Sequence, residues 1–538
     1  MHQRMNSIAC SLLLAAGATV ANPQNARADG LDDAFAGGVR HAQPSFDPTT
    51  SNKFASPNRI APGFKLVPLV SGTDPLENPS GVITTWGYLD NGTNLESSTK
   101  TEPDENLYVV LNRNPGGPTP HYQYGRHFLF QGHENAGDVA FVSRINLDVE
   151  DPAHRITLLT PVGDDGRTGL NRIDGSTWDP FTQTLLFTQE NRAAGGVVEV
   201  TSSWPPARRA LDGSFGQAGY EGIHPDHRGN LVIVEDAGGT RVRIDPDDTN
   251  SVQAAAVPNS FVYRFVPRSP WDLGSGGRLQ ALQVSIDGGP LKFVQVDAEH
   301  PSGDAFSHNQ LKLHTRGTSW HCRWVTVHDT AVDGTTSFNA NTAAKAAGAT
   351  PFKRPENAQF LPGSDFRTLF FCVTGDTDAR SGAVPALAAR GAWGGFFRVD
   401  FDASGDAGRI SIFYLGDSVH NSFDNVAFVN GRILLATEDR GDGLHLQLNT
   451  LDSIWAFDVT QPRATPVRFV ALGRDEASLI GGEDNEPTGL HISDGASSIR
   501  GLLGTNRQLD GTRWFFTQQH GDNTLFEVVP AEDDREQR

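Results

Sequence analysis

The chain has 538 residues, with 44 Lys and Arg against 64 Asp and Glu, for a formal net charge of −20. That balance argues against nucleic acid as a partner, because phosphate binding needs clustered Lys and Arg. Three cysteines and no CxxC argue against a disulfide-stapled scaffold or a cysteine zinc site.

Taken in chain order, the first segment reads as an export signal. Arg4 gives a charged start, Ile8 to Val20 is mostly apolar, and Ala26-Arg27-Ala28 fits an A-x-A cleavage site. Residues 1–28 are therefore expected to be removed. The absence of a twin-arginine pair favours the general secretory route to the periplasm or the medium. The apolar run is too short for a membrane span, and no later segment is longer, so no membrane span is expected. Residues 29–60 are polar and rich in Pro, Asn and Ser, and are expected as a linker or N-terminal arm. Residues 531–538 read as a disordered tail.

Between them, residues 61–530 are expected to form one domain. Short β-rich runs alternate with Gly, Asp, Asn and Pro turns, and 57 glycines suit many tight turns. Helical patterning is confined to Thr342–Ala349 and part of Val384–Arg390. Six times, an apolar run delivers acids, amides or imidazoles at its end. Leu185-Leu186-Phe187 runs into Gln189-Glu190-Asn191, and similar clusters follow Phe128, Leu231, Leu369, Ile433 and Trp514. Repeated strand-to-acid units predict an all-β fold, a six-bladed β-propeller with long inserted loops. In such a fold, strand-end acids from different blades converge on the central channel. A β-sandwich is the rival architecture. The long irregular stretch 267–350 is expected to cap the channel.

The strongest local signal is Arg354-Pro355-Glu356. An arginine presents a planar fork for phosphate, a glutamate two residues on can hold a hard cation, and in an extended segment both share a face. Glu134, Glu190, Glu221, Glu438, Asp439, Asp424 and Glu486 stand in similar polar contexts, although each alone reads more readily as a turn residue.

Taken in order, these motifs resemble the PhoX-type alkaline phosphatases. The match runs through Gly132-His133-Glu134, Thr177-Trp178, Thr188-Gln189-Glu190-Asn191, Tyr220-Glu221-Gly222 and Val234-Glu235-Asp236. It continues through Arg354-Pro355-Glu356, Asp424-Asn425, Thr437-Glu438-Asp439, Glu486-Pro487-Thr488-Gly489 and Gln519-His520, over roughly residues 60–525. The resemblance implies an exported phosphatase whose propeller channel holds iron and calcium. It implies Arg354 and Glu356 as catalytic residues, with Arg354 and Trp178 contacting a small phosphate ester. The implied metal ligands are Glu134, Glu190, Glu221, Glu356, Glu438, Glu486, Asp424 and Asp439. One departure matters: the family cysteine that bridges two irons is Gln189 here. An amide cannot replace a bridging thiolate but remains a calcium ligand, so calcium (Ca2+) is the expected ion and iron (Fe3+) is left without its bridge. A calcium-dependent lactonase-like hydrolase and a non-catalytic calcium-binding propeller are the alternative readings. A monomer is expected.

Overall fold

The computed structural model describes residues 47–51, 54–89, 99–500 and 512–531. The expected signal segment 1–28, the first part of the expected arm and residues 532–538 of the expected tail lie outside these.

The described chain is built from antiparallel meanders. The first runs through Pro103–Val110, His127–His133, Phe141–Asn146 and Ile156–Leu158. The second comprises Ile173–Asp179, Thr184–Gln189, Val197–Val200 and Arg208–Ala210. The third begins at Tyr220–Pro225, the fourth at Pro355–Phe360, the fifth at Phe423–Phe428 and the sixth at Glu486–Ser493. These six leading strands touch one another in cyclic order, the last meeting the first, so they line a common centre. The ring is closed by a strand from the other end of the chain. Phe64–Val70 pairs antiparallel with Thr524–Pro530 and becomes the outer strand of the sixth meander. The fold is therefore all-β and propeller-like, an arrangement that disposes of sheet edges by radial repetition.

The alternation of apolar residues explains why the meanders stack. Each neighbouring pair encloses its own apolar cluster. Between the first and second, for example, Leu107, Phe128 and Phe130 meet Trp178, Leu185 and Phe187. Between the fifth and sixth, Leu435, Ile454 and Phe469 meet Leu490, Trp514 and Phe516. Each fully buried side chain of this size contributes roughly 1.5–3 kcal/mol, so the core is a ring of such interfaces rather than one central mass.

One expectation is corrected at the periphery. Much of 267–350 forms the outer edge rather than a cap: Gly277–Ile286 is the fourth strand of the third meander. Trp320–Asp329 pairs with it on one side and with Ala407–Leu415 on the other. The third and fourth meanders thus share one ten-stranded sheet. The arm residues Arg59–Ile60 are themselves a short strand, paired with Val467–Ala471.

One irregularity recurs in all six leading strands. Each slips register against its neighbour near its start, between Pro103 and Asn106, Ile173 and Ser176, Tyr220 and Ile223, Pro355 and Ala358, Phe423 and Val426, and Thr488 and His491. A bulge of this kind twists a strand and re-aims a side chain. Repeated around the ring, it sets up the site.

Candidate active site and metal centre

At the end of the channel where the leading strands begin lies a cavity of about 110 Å³. Ten carboxylates, one guanidinium and one amide line it. The carboxylates come from two places in the repeat. Asp104, Asp174, Glu221, Glu356 and Asp424 each follow the first residue of a leading strand, and Glu486 opens the sixth. Glu134, Glu190, Asp236 and Asp439 each follow the last residue of a second strand. In these four meanders the residue after the second strand donates its backbone N–H to the residue just before the leading strand. The pairs are Glu134 to Glu102 (2.6 Å), Glu190 to Arg172 (2.9 Å), Asp236 to Gly219 (2.8 Å) and Asp439 to Ser422 (2.7 Å). The fourth meander makes the same bond from Thr374 to Arg354 at 3.0 Å. This repeated bond holds the two sets of acids side by side.

Arg354 occupies that pre-strand position in a left-handed conformation, φ +55°. Its Nε donates to Asp236 Oδ2 at 2.7 Å, and its Nη2 lies 3.5 Å from Glu356 Oε1. Thr374 donates its hydroxyl to Glu356 and its backbone N–H to the Arg354 carbonyl, which couples the two residues. Burial works against the charged guanidinium, but Asp236 and Glu356 outweigh it and hold Arg354 well above the usual arginine range. Behind it, the buried Lys353 Nζ pairs with Asp376 at 2.8 Å and anchors the segment.

The acids are under the opposite strain. Burial, reinforced by neighbouring carboxylates, pushes Glu134, Asp174, Glu221, Glu356, Asp424 and Glu486 well above the usual carboxylate range. Glu190 is pushed up to about 7 by burial and Asp236, and Asp104 to about 6 by burial. Such crowding demands protons or cations. Two sets offer ligand oxygens within 4.8 Å of one another: Asp104, Glu134 and Asp174, and Asp174, Glu190 and Glu221. They share Asp174. A third set, Asp442, His445 and Asp484, lies outside the cavity lining. Burial would discharge His445, but Asp452 and Asp484 raise it to about 10, so that set already carries its own cation.

The structure brings together Arg354, Glu356, Glu134, Glu190, Glu221, Glu486, Asp424 and Asp439. It does not bring Glu438 or Trp178 with them. Glu438 is the last residue of its strand and faces away from the channel. It pairs with Arg440 at 2.7 Å and accepts the Ser453 N–H at 3.1 Å. Trp178 lies near the far end of the strand whose second residue is Asp174. Its indole donates to the Ser497 carbonyl at 2.8 Å, and it borders a separate cavity of about 190 Å³ with Phe360, Phe366 and His491. Gln189 donates to the Asn171 carbonyl at 2.8 Å and is not among the lining residues. Sequence reasoning missed Asp104 and Asp174, and quoted Asp236 and Gln519 without giving them a role. The signal was present: Pro103-Asp104-Glu105, Ile173-Asp174-Gly175, Tyr220-Glu221-Gly222, Pro355-Glu356-Asn357 and Phe423-Asp424-Asn425 repeat one pattern at each bulge.

Fold and site together define a propeller-like protein with an acid-walled, arginine-bearing centre. The sequence profile of the family "Alkaline phosphatase PhoX" matches residues 175–450. The chain belongs to that family and is a phosphatase. Among solved structures it is similar to Pseudomonas fluorescens PhoX in complex with vanadate, described as a transition-state analogue. Identity there is 12%, covering 91% of this chain and 98% of that one, with a TM-score of 0.54, a likeness of fold. Weaker likenesses are to a Trypanosoma rangeli sialidase (9% identity, 87% and 60% covered, TM-score 0.30) and a Sulfolobus tokodaii hypothetical selenium-binding protein (8%, 80% and 95%, 0.31). No curated protein matches. No helix among the described residues is long and apolar enough to cross a membrane.

Proposed function

We propose that the chain is an exported, calcium-dependent phosphatase that hydrolyses small phosphate esters in the carboxylate-lined cavity. The observation that carries this reading is the pair of three-carboxylate sets sharing Asp174, in the same cavity as Arg354. Every carboxylate and amide donor there is oxygen-bearing, with no sulfur or imidazole, which fits a hard cation. Cys322 and Cys372 are buried and line no part of it, and Gln189 supplies no bridge, so the reading assigns calcium and no iron.

Asp104, Glu134, Asp174, Glu190 and Glu221 would hold the first cations, with Glu356, Asp424, Asp439 and Glu486 around the rest of the ring. Bound there, the cations supply Lewis-acid neutralisation of phosphoryl charge. Arg354 contributes its terminal guanidinium nitrogens to the phosphate oxygens, since Asp236 already holds Nε. These donors are in place before charge develops, which is the form of electrostatic catalysis phosphoryl transfer requires. Glu356, locked by Thr374, keeps the guanidinium plane facing the cavity. Next to the cavity acids along the leading strands, Asn357 donates to Glu105 and His224 bonds Asn357 at 3.0 Å. The reading places the mature protein, from residue 29, in the periplasm or the medium as a monomer.

The test is phosphate release from phenyl phosphate after chelation, then with calcium restored, then with calcium and ferric iron. Turnover restored by calcium alone is expected. No turnover under any condition overturns the reading, and turnover only with iron overturns the choice of ion.

A further inference from the structure

The internal repeat singles out one more residue. The position just before each leading strand is Glu102, Arg172, Gly219, Arg354, Ser422 and Asn485 in turn. Two of the six are arginines. Arg172 repeats the local geometry of Arg354: both are left-handed, φ +46° and +55°, and both carbonyls accept an N–H from the end of a second strand. Arg172 is therefore in the second meander what Arg354 is in the fourth, and the meander between them offers only Gly219 at this position.

Their side chains differ in depth. The Arg172 side chain is 41% exposed against 23% for Arg354; Arg354 lines the cavity, and Arg172 stands just outside the lining, against its residues Glu134 and Glu190. Arg172 Nη1 donates to Glu134 Oε1 at 2.8 Å and lies 4.0 Å from Glu190 Oε2. Its backbone N–H also bonds the Asn135 carbonyl at 2.9 Å, so it is tied to the ends of two acid-bearing strands. Cations held by Glu134 and Glu190 would claim the charge of two of the three carboxylates that act on Arg172, leaving Glu102. The partly exposed guanidinium would then have positive charge to share with an anion.

We propose that Arg172 contacts the leaving portion of the substrate through a second anionic group, while Arg354 takes the phosphate. The inference rests on the reading of the cavity given above, and it narrows the substrate class to phosphate esters that carry a further carboxylate or phosphate. The test is calorimetric binding of benzylphosphonate and 4-carboxybenzylphosphonate to the full calcium-loaded protein and to Arg172→Asn, since asparagine tolerates a left-handed backbone. The wild type is expected to prefer the carboxylated ligand by about tenfold or more, and Arg172→Asn to reduce that preference to within about threefold; the loss of one charge-assisted contact is of this size. Arg172→Lys, which keeps the charge, should retain part of the preference. The proposal is overturned if the wild type shows no preference. It is equally overturned if Arg172→Asn keeps the preference, or weakens both ligands equally while losing bound calcium, which would mark a structural role. If neither phosphonate binds the wild type, the reading of the cavity itself fails and the inference fails with it.

Discussion

Asp236 Oδ2 accepts the Nε proton of Arg354 at 2.7 Å, so the third meander orients a side chain supplied by the fourth. Removing that charge while keeping the shape, as Asp236→Asn does, leaves the guanidinium free to swing toward Glu356. A charge-assisted hydrogen bond is worth about 1.5–3 kcal/mol, so kcat/KM should fall by roughly tenfold or more. The loss is expected mainly in KM, read from initial rates on phenyl phosphate. Unchanged kinetics would show that Asp236 does not orient Arg354.

The crowded acids make the cation-free protein sensitive to pH in a definite direction. A carboxyl raised in the folded state keeps its proton where the unfolded chain has lost it, so stability is present at low pH and lost as pH rises through the raised value. For Glu190 that value is about 7, and several neighbours lie well above their usual range. Buried imidazoles work against this at lower pH: burial takes His314 and His224 down to about 4, so they cost stability only as pH falls below about 6.5. From pH 6.5 to 8 the raised carboxylates act together with His445, which Asp452 and Asp484 raise to about 10, and both lower stability as pH rises. The melting temperature of chelated protein should fall across that window, and calcium should remove the carboxylate share of the fall and release protons on binding. A flat profile without calcium would refute the crowding argument.

Strand runs, turn residues and the acids at the ends of second strands were legible in the sequence because each is a local pattern. Glu134, Glu190 and Asp439 could be read from an apolar run that stops at an acid. Asp104 and Asp174 could not be read that way, because each stands at the start of a strand, where an acid looks like a turn residue. Only the bulge that follows turns them inward, and a bulge is a relation between two strands that no single segment displays. Glu438 misled for the complementary reason. It adjoins Asp439 in sequence, yet the two-residue alternation of a strand sends it to the other side, into a buried pair with Arg440. Trp178 misled because proximity along the chain to Asp174 is lost when a strand runs the length of the channel.

Glu438→Gln should therefore behave as a stability variant. Breaking a buried ion pair typically costs about 3–5 kcal/mol, so the melting temperature should drop by several degrees or more. Calcium stoichiometry, measured by elemental analysis of the dialysed protein, should stay the same. A lost ion would return Glu438 to the site.

Trp178 packs with Leu107, Phe128 and Leu185 between the first two meanders. Trp178→Ala should cost about 3–5 kcal/mol from the cavity it leaves, seen in denaturant titration. Trp178→Phe, which keeps most of the apolar volume, should leave KM for phenyl phosphate within about twofold, far less than a lost substrate contact. A tenfold rise in KM for Trp178→Phe would place the indole at the substrate after all.

The separation of the acids depends on small residues at the bulges. A Cβ on Gly175 would run into the Glu221 carbonyl, and one on Gly222 would come within 2.9 Å of the Asn357 Cα. Both clashes are with backbone, so the leading strands themselves must move apart. Gly175 follows Asp174 and the obstructing carbonyl belongs to Glu221, two members of one three-carboxylate set. Gly175→Ala should thus weaken calcium binding as well as lower the melting temperature, because ligand oxygens at a calcium site sit within a narrow range of distances. Calcium affinity from competition with a chelating dye should fall by about tenfold or more, whereas Gly288→Ala, in an open turn with nothing near its Cβ, should lower stability alone. Equal calcium affinity in wild type and Gly175→Ala would show that the close approach of these strands does not set the spacing of the acids.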